Sequence, residues 1–159
     1  MTDPGNKQVW LVKPSGEKKV VDKGIELPNG VILWPDQGTL VVSDTRGPHL
    51  WTFRIEADGS LAAKSPYYTL TLPNLKVESG ADGLTIDTAG RLYATSAQGL
   101  QMFDPTGRLG GVIAKPQRAW LSNVTFGGPK LNTLFVTCGD KVYRRKTKVT
   151  GVGMPAAKK

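Results

Sequence analysis

The side chains of this sequence that could bind a metal ion are almost all oxygen donors. The 159 residues include one cysteine, Cys138, and one histidine, His49. These counts exclude a disulfide within the chain and any metal site built on several cysteines or histidines. Three residues with side-chain oxygen atoms, Asn29, Asp82 and Asn123, each open a short apolar segment. Carboxylate and carboxamide oxygens favour Ca²⁺, Mg²⁺ or Mn²⁺ over Zn²⁺.

The three oxygen-bearing residues stand at matched positions in three copies of one pattern. Each copy continues through an apolar strand and a turn, then a second strand that ends in small polar residues, then a third strand with an aromatic residue. The copies start 53 and 41 residues apart, close to the period of about 40–50 residues of a four-stranded β-propeller blade. The strand endings are Ser43-Asp44, Thr95-Ser96 and Thr137-Cys138, and the aromatic residues are Trp51, Phe103 and Tyr143.

The pattern predicts an all-β fold, a β-propeller that comprises about half a ring. No segment shows helical periodicity over the 11 or more residues that an amphipathic helix requires. A single β-sandwich is the alternative, but it would not require copies with the same internal order. Propellers have typically 4–8 blades, whereas this chain provides three to four, some of them partial. A half ring leaves sheet faces and edges uncovered. We therefore expect that the chain is a truncated or incomplete form, or that self-association or a missing N-terminal half completes the ring.

The predicted organisation is one partial propeller between two short ends. We place an N-terminal tail at 1–7, a half blade at 8–27, blades at 28–78 and 79–118, a partial blade at 119–150, and a basic tail at 151–159. No signal peptide is visible and no segment approaches the roughly 18 apolar residues of a membrane helix. We expect a cytoplasmic chain without a membrane partner. A secreted or periplasmic location stays open if the natural N-terminus lies further upstream.

The net charge of +8 is concentrated at one end of the chain. Residues 1–140 carry 14 basic and 13 acidic side chains, whereas residues 141–159 carry seven basic side chains and no acid. The excess therefore belongs to one strand and a tail, which argues against a nucleic-acid partner. Anion binding by residues 141–148 is the alternative.

The innermost strand of each propeller blade lies beside the central channel, so Asn29, Asp82 and Asn123 are expected to converge there. Gly30 and Gly83 follow two of them and allow close approach of the backbone. Three such oxygen donors at one point would form a metal or substrate site. The alternative is that each residue caps a turn before its strand.

Several segments together resemble the SMP-30/gluconolactonase/LRE-like family, over roughly residues 8–150. They are residues 27–31, 42–44, 80–93, 123–128 and 134–138. The resemblance implies a six-bladed propeller and a divalent-metal-dependent lactonase, a hydrolase of a small sugar-type lactone. Calcium is the first metal implied, with Zn, Mg or Mn as alternatives. Asn29 matches a metal-ligand Asn of the family, and Asp82 matches a metal-ligand Asp that is also the general base.

The resemblance covers only the C-terminal half of such proteins. In the family, a Glu of the first blade completes the metal site, and a further Asn or Arg contacts substrate. Neither residue has a counterpart in this chain. Glu26 is close to Asn29 in sequence, but its position does not match that of the family's Glu. We expect weak metal binding and slow or absent turnover. A noncatalytic propeller fragment that binds a partner through its open edges is the alternative function.

Three further residues are candidates for contact with substrate or for lining the channel. They are Asn123, His49, which we place in a loop between two strands of its blade, and Asp44, at the end of a strand. An exposed loop histidine and a turn cap are the alternatives for His49 and Asp44. For Cys138 we expect a buried packing thiol.

Overall fold

The fold is defined by a computed structural model that describes residues 1–73 and 77–153. These residues form β-strands, turns and loops and contain no helix. Among them, accordingly, no helical segment is long and apolar enough to cross a membrane. The predicted all-β class is confirmed.

The first two sheets are antiparallel and follow the chain order of their strands. The first sheet has the order β1-β2-β3 and the second has the order β4-β5-β6-β7. Their strands are β1 (Thr2–Asp3), β2 (Gln8–Val12), β3 (Lys18–Lys23), β4 (Pro28–Leu33), β5 (Thr39–Asp44), β6 (His49–Ile55) and β7 (Leu61–Thr69).

The third and fourth sheets repeat this arrangement. The third has the order β8-β9-β10-β11 and the fourth has the order β12-β13-β14. Their strands are β8 (Leu84–Ile86), β9 (Leu92–Thr95), β10 (Gly99–Phe103), β11 (Leu109–Ala114), β12 (Leu121–Gly127), β13 (Thr133–Cys138) and β14 (Lys141–Lys146). We refer to the four sheets, in chain order, as blades I to IV.

Each pair of successive blades encloses its own apolar cluster. Val9, Val42 and Phe53 are buried between blades I and II. Tyr68 and Phe103 belong to the larger cluster between blades II and III, with their ring centroids 5.3 Å apart. A third cluster joins blades III and IV and includes fully buried Cys138, the packing thiol expected from the sequence. This face-to-face packing of twisted sheets is the arrangement of a propeller, and the ring is not closed.

The strand pairing shows that residues 1–7, predicted as a tail, contain the end of a blade's second strand. In every blade, a hydroxyl residue of the second strand lies opposite an apolar residue of the third strand. The pairs are Thr2 with Val9, Ser43 with Leu50, Thr95 with Leu100, and Thr137 with Val142. Thr2-Asp3 in blade I therefore corresponds to Ser43-Asp44 in blade II. Two residues of strand are too short to give a periodic signal in the sequence.

The same register corrects the alignment of the aromatic residues. Trp51 and Tyr143 follow Leu50 and Val142 directly, and the equivalent position in blade III is Gln101 rather than Phe103. Gln101 is fully buried. Its side chain accepts a hydrogen bond from the Thr71 backbone N–H and donates one to the Thr71 carbonyl. These bonds attach the segment after β7 to blade III and satisfy the buried amide.

The hydroxyl groups of the second strands connect each blade to the next. Ser43 is fully buried, and its Oγ accepts a hydrogen bond from the Gly30 N–H at 2.7 Å within its own blade. In three blades, this second-strand hydroxyl also donates a hydrogen bond to a backbone carbonyl in, or just before, the inner strand of the next blade. These bonds run from Thr2 to Asn29 (2.5 Å), from Ser43 to Asp82 (2.8 Å), and from Thr95 to Ser122 (3.3 Å).

Blade IV presents a basic strand at its outer side. β14 is exposed at five of its six residues and carries Lys141, Arg144, Arg145 and Lys146. Val142, the equivalent of buried Leu50 and Leu100, is 68 % exposed, and no further blade covers it within residues 1–73 and 77–153.

The start of the predicted basic tail is part of the fold. The Thr88 N–H donates to the Thr150 carbonyl at 2.8 Å, and the Val152 N–H donates to the Ile86 carbonyl at 3.0 Å. Residues 150–152 therefore lie across the end of β8. Residues 154–159 of the predicted tail lie outside the described residues.

Replacing Ser43 by Ala should destabilise the fold by about 1–3 kcal/mol, because buried backbone groups in two blades lose their partner. The measurement is the free energy of unfolding from urea titration. Ser15→Ala is the control, since Ser15 is exposed in a turn, and its effect should stay within about 0.5 kcal/mol. Equal effects of the two substitutions would contradict a bridging role for Ser43.

Candidate active site at the inner strands

The inner strands of blades II, III and IV lie side by side, as predicted for a propeller. The Gly83 N–H donates to the Ser122 carbonyl at 2.9 Å, and the Ser43 hydroxyl joins β5 to the Asp82 carbonyl. A Cβ atom on Gly30 would overlap the Asp82 carbonyl oxygen, and one on Gly83 would overlap Asn123 Oδ1. Only glycine at these two positions lets neighbouring inner strands approach this closely.

Irregular strand pairing turns the site residues away from the regular ladder. The pairing of β4 with β5 moves from Pro28–Asp44 directly to Val31–Val42, so Asn29 and Gly30 form a bulge. The pairing of β12 with β13 also shifts, between Leu121 and Asn123. Bulges of this kind redirect side chains and recur beside active sites. The sequence predicted Asn123 at the start of its strand. In the structure, Asn123 is the third residue of β12.

Asp82 is the central titratable group of this region. Its side chain is partly buried, and its Oδ2 accepts a hydrogen bond from Trp120 Nε1 at 3.0 Å. Burial raises the pKa of the Asp82 carboxyl above its usual value, while hydrogen bonds from Trp120 and Asn29 act in the opposite direction. The site therefore holds a partly desolvated carboxylate that accepts a hydrogen bond from Trp120 and has Asn29 beside it.

Asn29 lies between Asp82 and a buried hydroxyl. Its Nδ2 donates to Thr45 Oγ1 at 3.1 Å, and Thr45 Oγ1 in turn donates to the Ala81 carbonyl at 2.6 Å. The structure thus brings together the two residues, Asn29 and Asp82, that the resemblance implied as metal ligands. Asn123 is exposed next to Gly83, and its Oδ1 accepts from the Val124 N–H at 3.2 Å.

The Asp44 side chain caps backbone N–H groups on either side of blade II's first two strands. Its carboxylate is buried and accepts hydrogen bonds from the backbone N–H groups of Glu26 (3.3 Å), Leu27 (3.0 Å) and Arg46 (3.2 Å). These bonds fix the segment that leads into β4 and so position Asn29. A channel-lining role for Asp44 stays a prediction, and its hydrogen bonds support the alternative.

His49 and Glu26 contact residues other than Asn29 and Asp82. His49 is the first residue of β6 and not a loop residue, and its Nδ1 lies 3.3 Å from Thr69 Oγ1 of the outermost strand. The strand begins earlier than predicted because His49 pairs with Thr69. Glu26 forms an exposed ion pair with Lys7 at 2.7 Å. Its carboxylate is thus engaged on the surface.

The sequence did not reveal the role of Trp120, and it predicted a turn at residues 87–90 that includes Asp87. Trp120 is 49 % exposed at the entrance to β12, and its only sequence signal was its position three residues before Asn123. Asp87 is fully buried at the opposite end of β8 from Asp82.

The carboxylate of Asp87 anchors the turn before β9. It accepts hydrogen bonds from Arg91 Nε at 2.7 Å and from the Tyr93 hydroxyl at 2.9 Å. Burial raises the pKa of Asp87, but these hydrogen bonds together outweigh burial and leave the pKa below its usual value. All of these partners belong to the same blade, so the hydrogen bonds of Asp87 hold the connection between β8 and β9.

The donor set at Asp82 fits part of a site for a hard cation. Among residues 1–73 and 77–153, no group of three or more His, Cys, Asp and Glu side chains could hold a metal ion. Asp82 and Asn29 instead provide one carboxylate and one carboxamide, both oxygen donors of the type that Ca²⁺ or Mg²⁺ prefers. A cation would also compensate the desolvated charge of Asp82.

Antiparallel sheets that pack face to face around an axis, with polar residues where the inner strands meet, define a β-propeller protein. The chain belongs to the SMP-30/gluconolactonase/LRE-like family, because the profile of the SMP-30/Gluconolactonase/LRE-like region matches residues 1–140. This confirms the resemblance that the motifs indicated.

Comparison with individual proteins supports the same family. The gluconolactonase of Zymomonas mobilis is 31 % identical over 152 residues, which cover 90 % of this chain and 41 % of that protein. The structure of a gluconolactonase from Xanthomonas campestris is 27 % identical with a TM-score of 0.72, over 91 % of this chain and 44 % of that one. The chain therefore spans less than half of each of these relatives.

A third comparison concerns the fold alone. Regucalcin from Agrobacterium tumefaciens, a calcium-binding protein, is 19 % identical with a TM-score of 0.77. The match covers 91 % of this chain and 54 % of the regucalcin chain. Half of a propeller of this type is therefore the architecture of the described residues.

Replacing Trp120 by Phe should raise the pKa of Asp82 further, because the ionised carboxylate loses its indole donor. The measurement is an NMR titration of the Asp82 side-chain carbon. Trp10→Phe is the matched control, since Trp10 lies in blade I and lines a different region of the molecule. If the two variants gave the same Asp82 titration curve as the unchanged chain, the Trp120 hydrogen bond would be refuted.

Proposed function

We propose that this chain contributes the catalytic carboxylate of a divalent-metal-dependent lactonase that hydrolyses a small sugar-type lactone. The observation that carries the proposal is the placement of Asp82. Its partly buried carboxylate lies where inner strands meet, beside Asn29 and fixed by Trp120. The names of the Zymomonas and Xanthomonas relatives, both gluconolactonases, support the substrate class.

Asp82 would act as the general base. Asp82 Oδ2 accepts the hydrogen bond from Trp120. We therefore assign Asp82 Oδ1 as the atom that takes the proton from the attacking water. Burial raises the pKa of the free Asp82 carboxyl, but a cation held by the same carboxylate would lower it, so the base would act mainly through its position next to the attacking water. Asn29 would orient the carboxylate and supply a second oxygen.

Asn29 and Asp82 would hold the metal ion. Calcium is the first candidate, with zinc, magnesium and manganese as alternatives, and the calcium-binding relative regucalcin supports this order. A bound divalent cation supplies polarisation of the lactone carbonyl and stabilisation of the resulting oxyanion. Exposed Asn123 is the candidate for substrate contact on the open side.

Two oxygen donors fall short of the 6–8 that calcium takes. We therefore expect weak metal affinity and slow turnover in this chain alone. A second candidate function is a noncatalytic module that engages a partner through uncovered blade surfaces. Exposed apolar residues at both ends of the half ring favour it, namely Val31 and Leu33 at one end and Val142 at the other.

The melting temperature of the chain should be measured while calcium, zinc, magnesium or manganese is titrated into it. Binding to the folded state alone raises stability, by about 2.7 kcal/mol when the free ion is 100-fold above its Kd. The shift should disappear in Asp82→Asn and persist in Asp58→Asn, which removes an equal charge from an exposed turn. An undiminished shift in Asp82→Asn would contradict metal binding at Asp82.

Hydrolysis of D-glucono-1,5-lactone should then be followed by pH-stat, with the spontaneous rate subtracted. Asp82→Asn should lower any turnover by about 10²–10⁴-fold, the usual contribution of a general base. Turnover equal to that of the unchanged chain would remove Asp82 from the mechanism.

A further inference from the structure

Trp120 is an exposed aromatic residue that contacts the candidate catalytic carboxylate. It directly precedes β12 of blade IV and is 49 % exposed. Its Nε1 donates a hydrogen bond of 3.0 Å to Asp82 Oδ2, in the segment that leads into blade III. Tryptophan is highly buried on average in folded proteins. An exposed indole that contacts a functional carboxylate is therefore a candidate for contact with a ligand.

The far edge of the same indole ring lies against blade III. A Cβ atom on Gly80 would lie 3.4 Å from Trp120 Cη2 and 3.1 Å from the Cβ of Ala97. Gly80 is buried and has a φ of +63°, a conformation that favours glycine. The absence of a side chain at position 80 therefore leaves room for the indole edge.

The backbone around the ring is held by hydrogen bonds. The Gly80 N–H donates to the Thr45 carbonyl at 2.9 Å, and the Ala97 N–H donates to the Ser79 carbonyl at 2.8 Å. The carbonyl of Trp120 itself accepts a hydrogen bond of 2.9 Å from the N–H of Gly139. The indole is thus fixed at Nε1, at its far edge and at its backbone. A ligand that binds such a ring pays little for ordering it, because folding has already done so.

The surroundings of Asp82 differ on its two sides. Asn29 reaches the carboxylate from blade II and Trp120 reaches it from blade IV, since blade III lies between these two blades. A ligand over Asp82 would therefore meet a polar amide on one side and an aromatic ring on the other. Binding sites for small molecules combine apolar and aromatic walls with a few polar groups in this way.

A sugar-type lactone has the chemistry that fits this arrangement. Its ring presents C–H groups on its faces and hydroxyl groups at its edge. Hydrolysis breaks the ring C–O bond and gives an open-chain hydroxy acid, which no longer presents a flat ring. An aromatic wall beside Asp82 would therefore distinguish the substrate from its product by shape.

We propose that Trp120 is the aromatic wall of the substrate subsite and determines specificity for cyclic over open-chain ligands. The inference rests on the proposed lactonase function and adds the contact that selects the ring. The indole would pack against the C–H groups of the lactone ring and exclude water from that side of Asp82. Weaker contact with the open-chain acid would favour release of the product.

D-Gluconolactam is the probe, because its ring amide has the shape of the lactone and is not readily hydrolysed. D-Gluconamide, an open-chain amide with the same configuration, is the comparison ligand. Both are neutral and can be titrated without added metal. The chain has four tryptophans, and the NMR signals of their indole N–H groups should be followed during each titration. We expect the Trp120 signal to shift and the lactam to bind with a Kd about tenfold lower than the gluconamide, since only the ring buries apolar surface on the indole.

Two substitutions separate the ring face of Trp120 from its N–H group. Trp120→Ala removes both and should abolish the preference for the lactam. Trp120→Phe keeps an aromatic face without the donor and should retain most of the preference. Trp10→Phe, in β2 of blade I, is the control and should bind both probes like the unchanged chain. A circular dichroism spectrum checks that each variant folds, and a general loss of folded chain would weaken both ligands equally without changing their ratio.

The ratio of the two Kd values decides the proposal. It is overturned if the unchanged chain does not bind the lactam, if it binds both ligands equally, or if Trp120→Ala retains the preference. Failure of the proposed function gives a different result: the chain prefers the lactam through Trp120 but does not hydrolyse D-glucono-1,5-lactone. Conversely, unchanged lactone hydrolysis in Trp120→Ala would leave the lactonase function intact and overturn the role of Trp120.

Discussion

The hydroxyl group that ends each second strand is the contact on which the rest of this fold depends. Ser43 satisfies the Gly30 N–H in its own blade and the Asp82 carbonyl in the next. Thr2 and Thr95 make the corresponding links to Asn29 and Ser122. A buried backbone group without a partner is costly, so these bonds fix how far one inner strand lies from the next. The apolar clusters between the blades then pack into the space that this distance leaves between neighbouring sheets.

The chemistry of the site follows from this spacing. Because inner strands are held so close, glycine is required at positions 30 and 83, and the residues before them are brought to one place. Asp82 thereby loses part of its hydration and gains Trp120 and Asn29 as neighbours. The caps made by Asp44 and Asp87 hold the ends of the segments that carry these residues. The site is thus a consequence of blade packing and not of a dedicated loop.

Much of the fold could be predicted from the sequence because the blade pattern is repeated. Blades II and III have the four strands that the repeat predicted, in chain order, and the convergence of Asn29 and Asp82 followed from their matched positions. The position of Asn123 within β12 and of His49 within β6 could not be predicted, since each depends on pairing with a distant strand. The role of Trp120 was hidden because a hydrogen bond across 38 residues leaves no periodic trace. The strand at Thr2 and Asp3 became recognisable only through its register with Val9.

The basic strand β14 gives the half ring a direction. Lysine and arginine side chains along an edge strand repel the like-charged edge of another molecule and discourage pairing there. The other end of the half ring presents exposed Val31 and Leu33 instead. The two open ends therefore differ in charge, and repulsion between like charges acts at blade IV.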